Sequence, residues 1–197
     1  MSQSVDFYYD YGSPTAYLAW TQLPGICAEC DATLNYRPVL LGGVFKATEN
    51  NTPVAIKPKG AWMFDDISRF AERYGVPFTM NPHFIINTIG IMRGAVWALN
   101  AGCLEAYNKA MYEATWLHGR NTGDADEVMA IMTEAGLDGA AMAEAVQTPE
   151  VKKALIDLTS EAVGRGAFGA PTMFVNGEVH FGQDRLDWVK EALLKAA

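Results

Sequence analysis

The run Asp6-Phe7-Tyr8-Tyr9-Asp10-Tyr11-Gly12-Ser13-Pro14 joins the end of a β-strand directly to the start of a helix. In an extended segment Phe7, Tyr9 and Tyr11 share one face and Tyr8 and Asp10 the other. Gly12 permits the turn, and Pro14 suits the first turn of a helix, where a missing N–H costs nothing. Ser13 is then the N-cap, placed where unpaired N–H groups and the positive end of the helix dipole converge. Such a position stabilises an anion, although a serine there also serves as a plain cap.

The chain predicts strands over about 4–11 and 33–39, with a helix over about 14–29 between them. That is a βαβ unit with a right-handed parallel crossover. Gly42 to Gly60, rich in Gly, Asn, Pro and Lys, reads as a long loop, a type of segment that often carries function. From Ala61 to about Gly164 the pattern is helical. Segments open at Asp65, Thr88, Leu104, Asp124, Asp138 and Glu150, and Ile89, Met92, Val96 and Leu99 are spaced for one apolar face. Pro171 to Phe181 reads as a strand, an Asn176-Gly177 turn and a second strand. A terminal helix runs from Asp184 to Ala196. The order β-α-β, helical block, β-β-α is that of a thioredoxin-like α/β fold with an all-helical domain inserted after the first βαβ unit. The expected division assigns 1–45 and 165–197 to the thioredoxin-like domain, and 46–164 to the loop and the helical insertion.

Composition narrows the function. The net charge of −8 and the absence of a Lys/Arg run argue against a nucleic-acid partner. No apolar segment is long enough to cross a bilayer, and the first residues lack a signal-peptide pattern, so a soluble cytoplasmic protein is expected. Three cysteines do not make a disulfide framework. Cys27 and Cys30 form C-x-x-C, but near the end of the first helix rather than at its start, where the dipole would lower a thiol pKa. Both, like Cys103, read as ordinary thiols, and a lone C-x-x-C is weak evidence for a metal.

Three distant segments would meet in this fold. Ser13 opens the first helix. Phe168-Gly169-Ala170-Pro171-Thr172 places a proline, expected to be cis, at the start of a strand, so that the Ala170 backbone can pair with an extended peptide-like ligand. Gly182-Gln183-Asp184-Arg185 stands where a helix starts. Asp184 either caps that helix or accepts from an ammonium, while Gln183 and nearby N–H groups hold a carboxylate.

These segments resemble the kappa-class glutathione transferases and, within them, the bacterial 2-hydroxychromene-2-carboxylate isomerases. The shared stretches are Asp6 to Asp10 leading into Ser13-Pro14, Arg37 to Thr48, Asn87-Thr88, Trp116, Gly166 to Thr172, Gly177-Glu178 and Gly182 to Arg185. They run in family order along nearly the whole chain. The resemblance implies glutathione as cofactor. Ser13 would point at its sulfur as a hydrogen-bond donor, Asn50 and Lys59 would hold its glycine end, and Ala170 with Pro171 would meet the cysteinyl backbone. Gln183, Asp184 and Arg185 would hold the γ-glutamyl end. It also implies catalytic isomerisation by thiolate addition, ring opening, bond rotation and elimination, in bacterial breakdown of naphthalene-type aromatics, and a homodimer.

A planar aromatic carboxylate calls for aromatic walls and a cation. Tyr11, Phe45, Trp62 and Trp116 are the candidate walls, and Lys46 is the candidate cation. Two departures bear on substrate identity: Ile85 stands where the family often has Pro, and Asn121 where it often has Asp. A thiol–disulfide oxidoreductase is disfavoured because Ser13-Pro14-Thr15-Ala16 has no cysteine. A serine hydrolase is disfavoured because nothing like Gly-x-Ser-x-Gly surrounds Ser13. A kappa-type transferase on another electrophile, and a non-catalytic binding module, are the competing readings.

Overall fold

The computed structural model describes residues 3–195. Met1, Ser2, Ala196 and Ala197, at the outer ends of the expected boundaries, lie outside the described residues. Four strands form one sheet: β1 (Ser4–Tyr9), β2 (Thr33–Pro38), β3 (Thr172–Val175) and β4 (Glu178–Phe181). Their order is β2-β1-β3-β4. β1 runs parallel to β2, with Ser4 opposite Thr33 and Tyr9 opposite Pro38. It runs antiparallel to β3, with Val5 opposite Val175. Asn176 and Gly177 turn the β3–β4 hairpin with φ of 52° and 84°, the left-handed pair that a tight two-residue hairpin needs.

β1 is central, and both of its faces are covered. Phe7, Tyr9 and Tyr11 enter the larger core together with α1 (Pro14–Glu29) and α5 (Leu104–Trp116). Tyr8 packs on the other face with Val39, Val44, Ala162, Ala167 and Phe174. A strand buried on both sides reads as a near-continuous apolar run, which is why Phe7 to Tyr9 has no solvent-facing position. On the Tyr8 face the guanidinium of Arg165 lies 4.1 Å from the Phe174 ring centroid and donates to Asp6 at 2.7 Å. One charged side chain thereby covers the sheet and neutralises its carboxylate.

Six more helices lie between β2 and β3: α2 (Leu41–Thr48), α3 (Lys57–Tyr74), α4 (Ile89–Ala101), α6 (Ala125–Glu134), α7 (Gly139–Ala145) and α8 (Pro149–Gly164). α9 (Leu186–Lys195) closes the chain. The expected long loop from Gly42 to Gly60 is largely helical, and α3 starts at Lys57 rather than Asp65. Gly42 and Gly43 read as breakers, yet they sit in the first turn of α2. A Cβ on Gly43 would meet Thr159 Cγ2 at 3.2 Å, so glycine lets α2 approach α8 closely. The expected apolar face of α4 is also corrected. Met92 and Val96 are buried, but Ile89 and Leu99 are exposed, and Gly94, Ala95 and Ala98 turn inward instead. Small residues there admit Tyr107, whose hydroxyl donates to the Ile91 carbonyl at 2.9 Å. Among the described residues no helix is long and apolar enough to cross a membrane.

That contact fixes a prediction. A methyl on Gly94 would collide with the Tyr107 hydroxyl and stand 3.0 Å from Met142 Sδ. Gly94→Ala should destabilise the fold by about 2 kcal/mol through overpacking, read as a lower urea midpoint with an unchanged m-value.

Candidate active site

Ser13 occupies the N-cap of α1 with extended backbone, and its Oγ accepts from the Ala16 N–H at 3.1 Å. The same oxygen donates to the Ala170 carbonyl at 3.0 Å and lies 2.9 Å from Thr15 Oγ1. With Ser13 donating to Ala170, Thr15 is the donor to Ser13. The hydroxyl is buried, and no acidic residue stands in the first turn of α1. The positive end of the dipole lies at this point.

The opposite side of the site is the segment from Phe168 to Pro171, which four elements hold through its carbonyls. Ser13 takes Ala170 O, Asn50 Nδ2 takes Phe168 O at 2.8 Å, Thr172 Oγ1 takes Gly169 O at 2.8 Å, and the Gly182 N–H takes Pro171 O at 3.0 Å. The Ala170–Pro171 peptide is cis, as expected from its place at the head of β3; Phe84–Ile85 is cis as well. Asn50, rather than its neighbour Asn51, makes the contact to Phe168. Its own backbone follows Glu49, which takes the left-handed conformation at the end of α2. The Ala170 N–H has no partner among the described residues.

The third segment adjoins through Gly182. Gln183 is buried, and its carbonyl accepts from the Tyr74 hydroxyl of α3 at 2.6 Å. Asp184 does not cap the terminal helix: α9 begins at Leu186 after a short 3-10 turn, and Asp184 instead accepts from Arg185 Nη1 at 2.6 Å. Gly182 has φ of 97°, and a Cβ on it would lie 2.6 Å from Asp184 Oδ1, so glycine is required there on both counts. Lys59 is exposed near the start of α3.

The expected acceptor walls do not gather. Tyr11 and Trp116 are 0% exposed, which corrects their assignment to a pocket wall. The Trp116 Nε1–H donates to the Tyr11 carbonyl at 2.7 Å, and the Tyr11 hydroxyl donates to Asn108 at 2.6 Å. Both rings are core. Burial pushes the Tyr11 phenol well above its ordinary pKa, so it takes no part in proton exchange near neutral pH. Phe45 is half-buried on α2, and Trp62 is 59% exposed on α3. Lys46 lines a cavity between α2, α4 and α8 that neither of those rings reaches. At the far end of α1, burial raises the Cys27 thiol to about 11, with Cys30 adding to the shift. The C-x-x-C pair thus has none of the acidity of a redox motif.

Asp10 belongs to this site and was not singled out in the sequence. It is 1% exposed. Oδ1 accepts from the Gly12 N–H at 2.8 Å, while Oδ2 accepts from the Leu41 N–H at 2.8 Å and from Thr88 Oγ1 at 3.0 Å. Burial raises its pKa, and these three donors act against the rise. One carboxylate thus ties the turn that presents Ser13 to the starts of α2 and α4. A carboxylate immediately after a strand and two residues before Gly-Ser-Pro was the available signal. Asp10→Ala would leave three donors without an acceptor at about 1–3 kcal/mol each. It should lower the urea midpoint sharply, whereas Asp6→Ala on the sheet rim should lower it less.

The chain matches the family model described as a DSBA-like thioredoxin domain over residues 4–194. It is 32% identical over 196 residues to the 2-hydroxychromene-2-carboxylate isomerase of Sphingobium xenophagum, an alignment covering 98% of this chain and 100% of that protein. It is 24% identical to human glutathione S-transferase kappa 1, covering 98% and 92% of the two chains. A solved structure of a 2-hydroxychromene-2-carboxylate isomerase superposes with a TM-score of 0.88 at 26% identity, covering 98% of this chain and 95% of that one. A fold with Ser13 at the head of α1, a cis-proline segment facing it and full-length similarity to these proteins belongs to the DsbA-like thioredoxin family, among the 2-hydroxychromene-2-carboxylate isomerases and kappa-class glutathione transferases.

Proposed function

We propose that this chain is a glutathione-dependent isomerase that interconverts 2-hydroxychromene-2-carboxylate and trans-o-hydroxybenzylidenepyruvate in the breakdown of naphthalene-type aromatics. The observation that carries the reading is the Ser13 hydroxyl at the N-terminus of α1, bonded to Ala170 beside a cis Pro171, in a chain 32% identical from end to end to a 2-hydroxychromene-2-carboxylate isomerase.

The donor set suits glutathione. An unpaired Ala170 N–H next to a cis proline offers strand-like pairing to a peptide. Asn50 and Lys59 supply a polar amide and a cation for its glycine carboxylate. Gln183, Asp184 and Arg185 supply both charges for its zwitterionic end. When bound, glutathione supplies the sulfur that adds to the conjugated substrate and later leaves it.

The chain's own contribution is electrostatic. Ser13 has one proton, spent on the Ala170 carbonyl at 3.0 Å. Rotating about Cβ–Oγ redirects it to an anion at the helix end, while Thr15 and the Ala16 N–H keep the oxygen in place. A thiol of ordinary pKa is mostly protonated at neutral pH, so donors and a helix dipole aimed at the sulfur raise the reactive fraction. Ser13 is therefore a donor that holds charge rather than a covalent nucleophile, and no histidine hydrogen-bonds to it among the described residues. A second reading, transfer of glutathione to another electrophile, is supported by the similarity to kappa-class transferases. We also infer a cytoplasmic homodimer.

Absorbance assays of hydroxychromene carboxylate turnover, with and without glutathione, test the reading. Conversion should require glutathione. Ser13→Ala should lose about 10²-fold in rate, in line with removal of one donor to a developing anion, and only about 1 kcal/mol of stability from the lost cap. Conversion that proceeds without glutathione, or is untouched in Ser13→Ala, sinks it. Glutathione binding with no conversion moves the assignment to the transferase.

A further inference from the structure

Arg93 is the one arginine of seven that has neither an ion pair nor an aromatic ring beneath it among the described residues. It is nonetheless half-buried, on α4. It lines a solvent-open cavity of about 670 Å³ between α2, α4 and α8. Two further cations share that lining, Lys46 from α2 and half-buried Lys152 from α8, and neither has a salt-bridge partner among the described residues.

Among the described residues no carboxylate lines the cavity. Of the acids of α8, Asp157 pairs with Lys153, Glu161 accepts from the Tyr8 hydroxyl, and Glu150 is exposed and outside the lining. The rest of the wall is largely apolar, with Leu155, Ile156 and Val163 from one face of α8 and Ile89 one turn before Arg93. Ile89 and Ile156 are 38% and 63% exposed. In a chain of net charge −8, three cations without ion-pair partners among the described residues, around one largely aliphatic lining, are a local reversal of sign. Leaving a half-buried guanidinium without an acceptor is unfavourable, and an anion entering from solvent would relieve it.

We propose that this cavity is a binding site for a planar aromatic carboxylate, with Arg93 and Lys152 on the carboxylate, Lys46 at its rim and the rings against Ile89, Leu155 and Ile156. The guanidinium is suited to two parallel hydrogen bonds to one carboxylate, and the aliphatic wall takes the ring faces. The inference rests on the preceding reading for the chemical class of the ligand alone. Two lining residues, Leu40 and Ile89, are the chain neighbours of Leu41 and Thr88, to which Asp10 bonds. An occupant there would lie beside the helix starts that Asp10 ties to Ser13.

Calorimetric titration with naphthoate in the absence of glutathione, with uncharged naphthol as control, tests it. Naphthoate should bind, naphthol at least about tenfold more weakly, and Arg93→Gln and Lys152→Gln should each lose about tenfold in naphthoate affinity. Arg93→Lys should recover part of that loss. Ser13→Ala should bind naphthoate as wild type does, so failure of the isomerase reading and failure of this one are separable. Equal binding of naphthol and naphthoate, no binding, or unchanged affinity in both Gln variants overturns the proposal. So does a change in oligomeric state on sedimentation with affinity unaltered, which would assign the face to a second copy. Should Arg93→Gln fail to fold, Lys152→Gln and the Arg93 Nε–H resonance during naphthoate titration decide the matter.

Discussion

A carboxylate sealed away from water, with no cation beside it, has to be matched by donors fixed in place. Asp10 meets this demand with the Gly12 N–H, the Leu41 N–H and the Thr88 hydroxyl, drawn from three separate parts of the chain. The desolvation it suffers is large enough to raise its pKa, so the contact persists because the surrounding geometry holds it. Three things follow at once. The turn after β1 presents Ser13 at a fixed angle, α2 begins at Leu41 in spite of its glycines, and α4 is anchored at Thr88.

The candidate site is accordingly less a pocket of side chains than a meeting of backbone segments. Carbonyls of Phe168, Gly169, Ala170 and Pro171 are each taken by a different partner: Asn50, Thr172, Ser13 and Gly182. A peptide-like ligand is well met by such an edge, since main-chain pairing supplies affinity and a few side chains supply direction. The hydroxyl of Ser13 belongs both to the helix cap and to this edge. It can therefore serve an incoming anion by giving up one internal hydrogen bond.

Much of this was legible in the residues. The strand-turn-helix at Asp6 to Pro14 set β1, the Ser13 cap and which residues of β1 share a face, because alternation and Gly-Ser-Pro chemistry are local. Asn176-Gly177 set the hairpin for the same reason. What failed was local reasoning applied to tertiary packing. Gly42-Gly43 reads as a break, yet close approach to Thr159 and a remote carboxylate cap make it helix. Ile89 and Leu99 complete a regular apolar stripe, yet α4 packs through Gly94, Ala95 and Ala98. Tyr11 and Trp116 read as pocket aromatics, yet the Tyr11 hydroxyl bonds inward to Asn108 and the Trp116 indole N–H to the Tyr11 carbonyl.

By itself the sequence determined the order of elements, the serine at the helix head, the proline opposite it and the family, since each is written in short-range patterns that constrain the backbone where they stand. Only the tertiary structure decided that Asp10 couples Ser13 to α2 and α4, that Asn50 reaches Phe168, and that Lys46, Arg93 and Lys152 surround one cavity. Those residues are separated by 31 to 118 positions where the structure bonds them directly. No local pattern records such a pairing, because what selects it is the need to satisfy buried polar groups once the helices have packed.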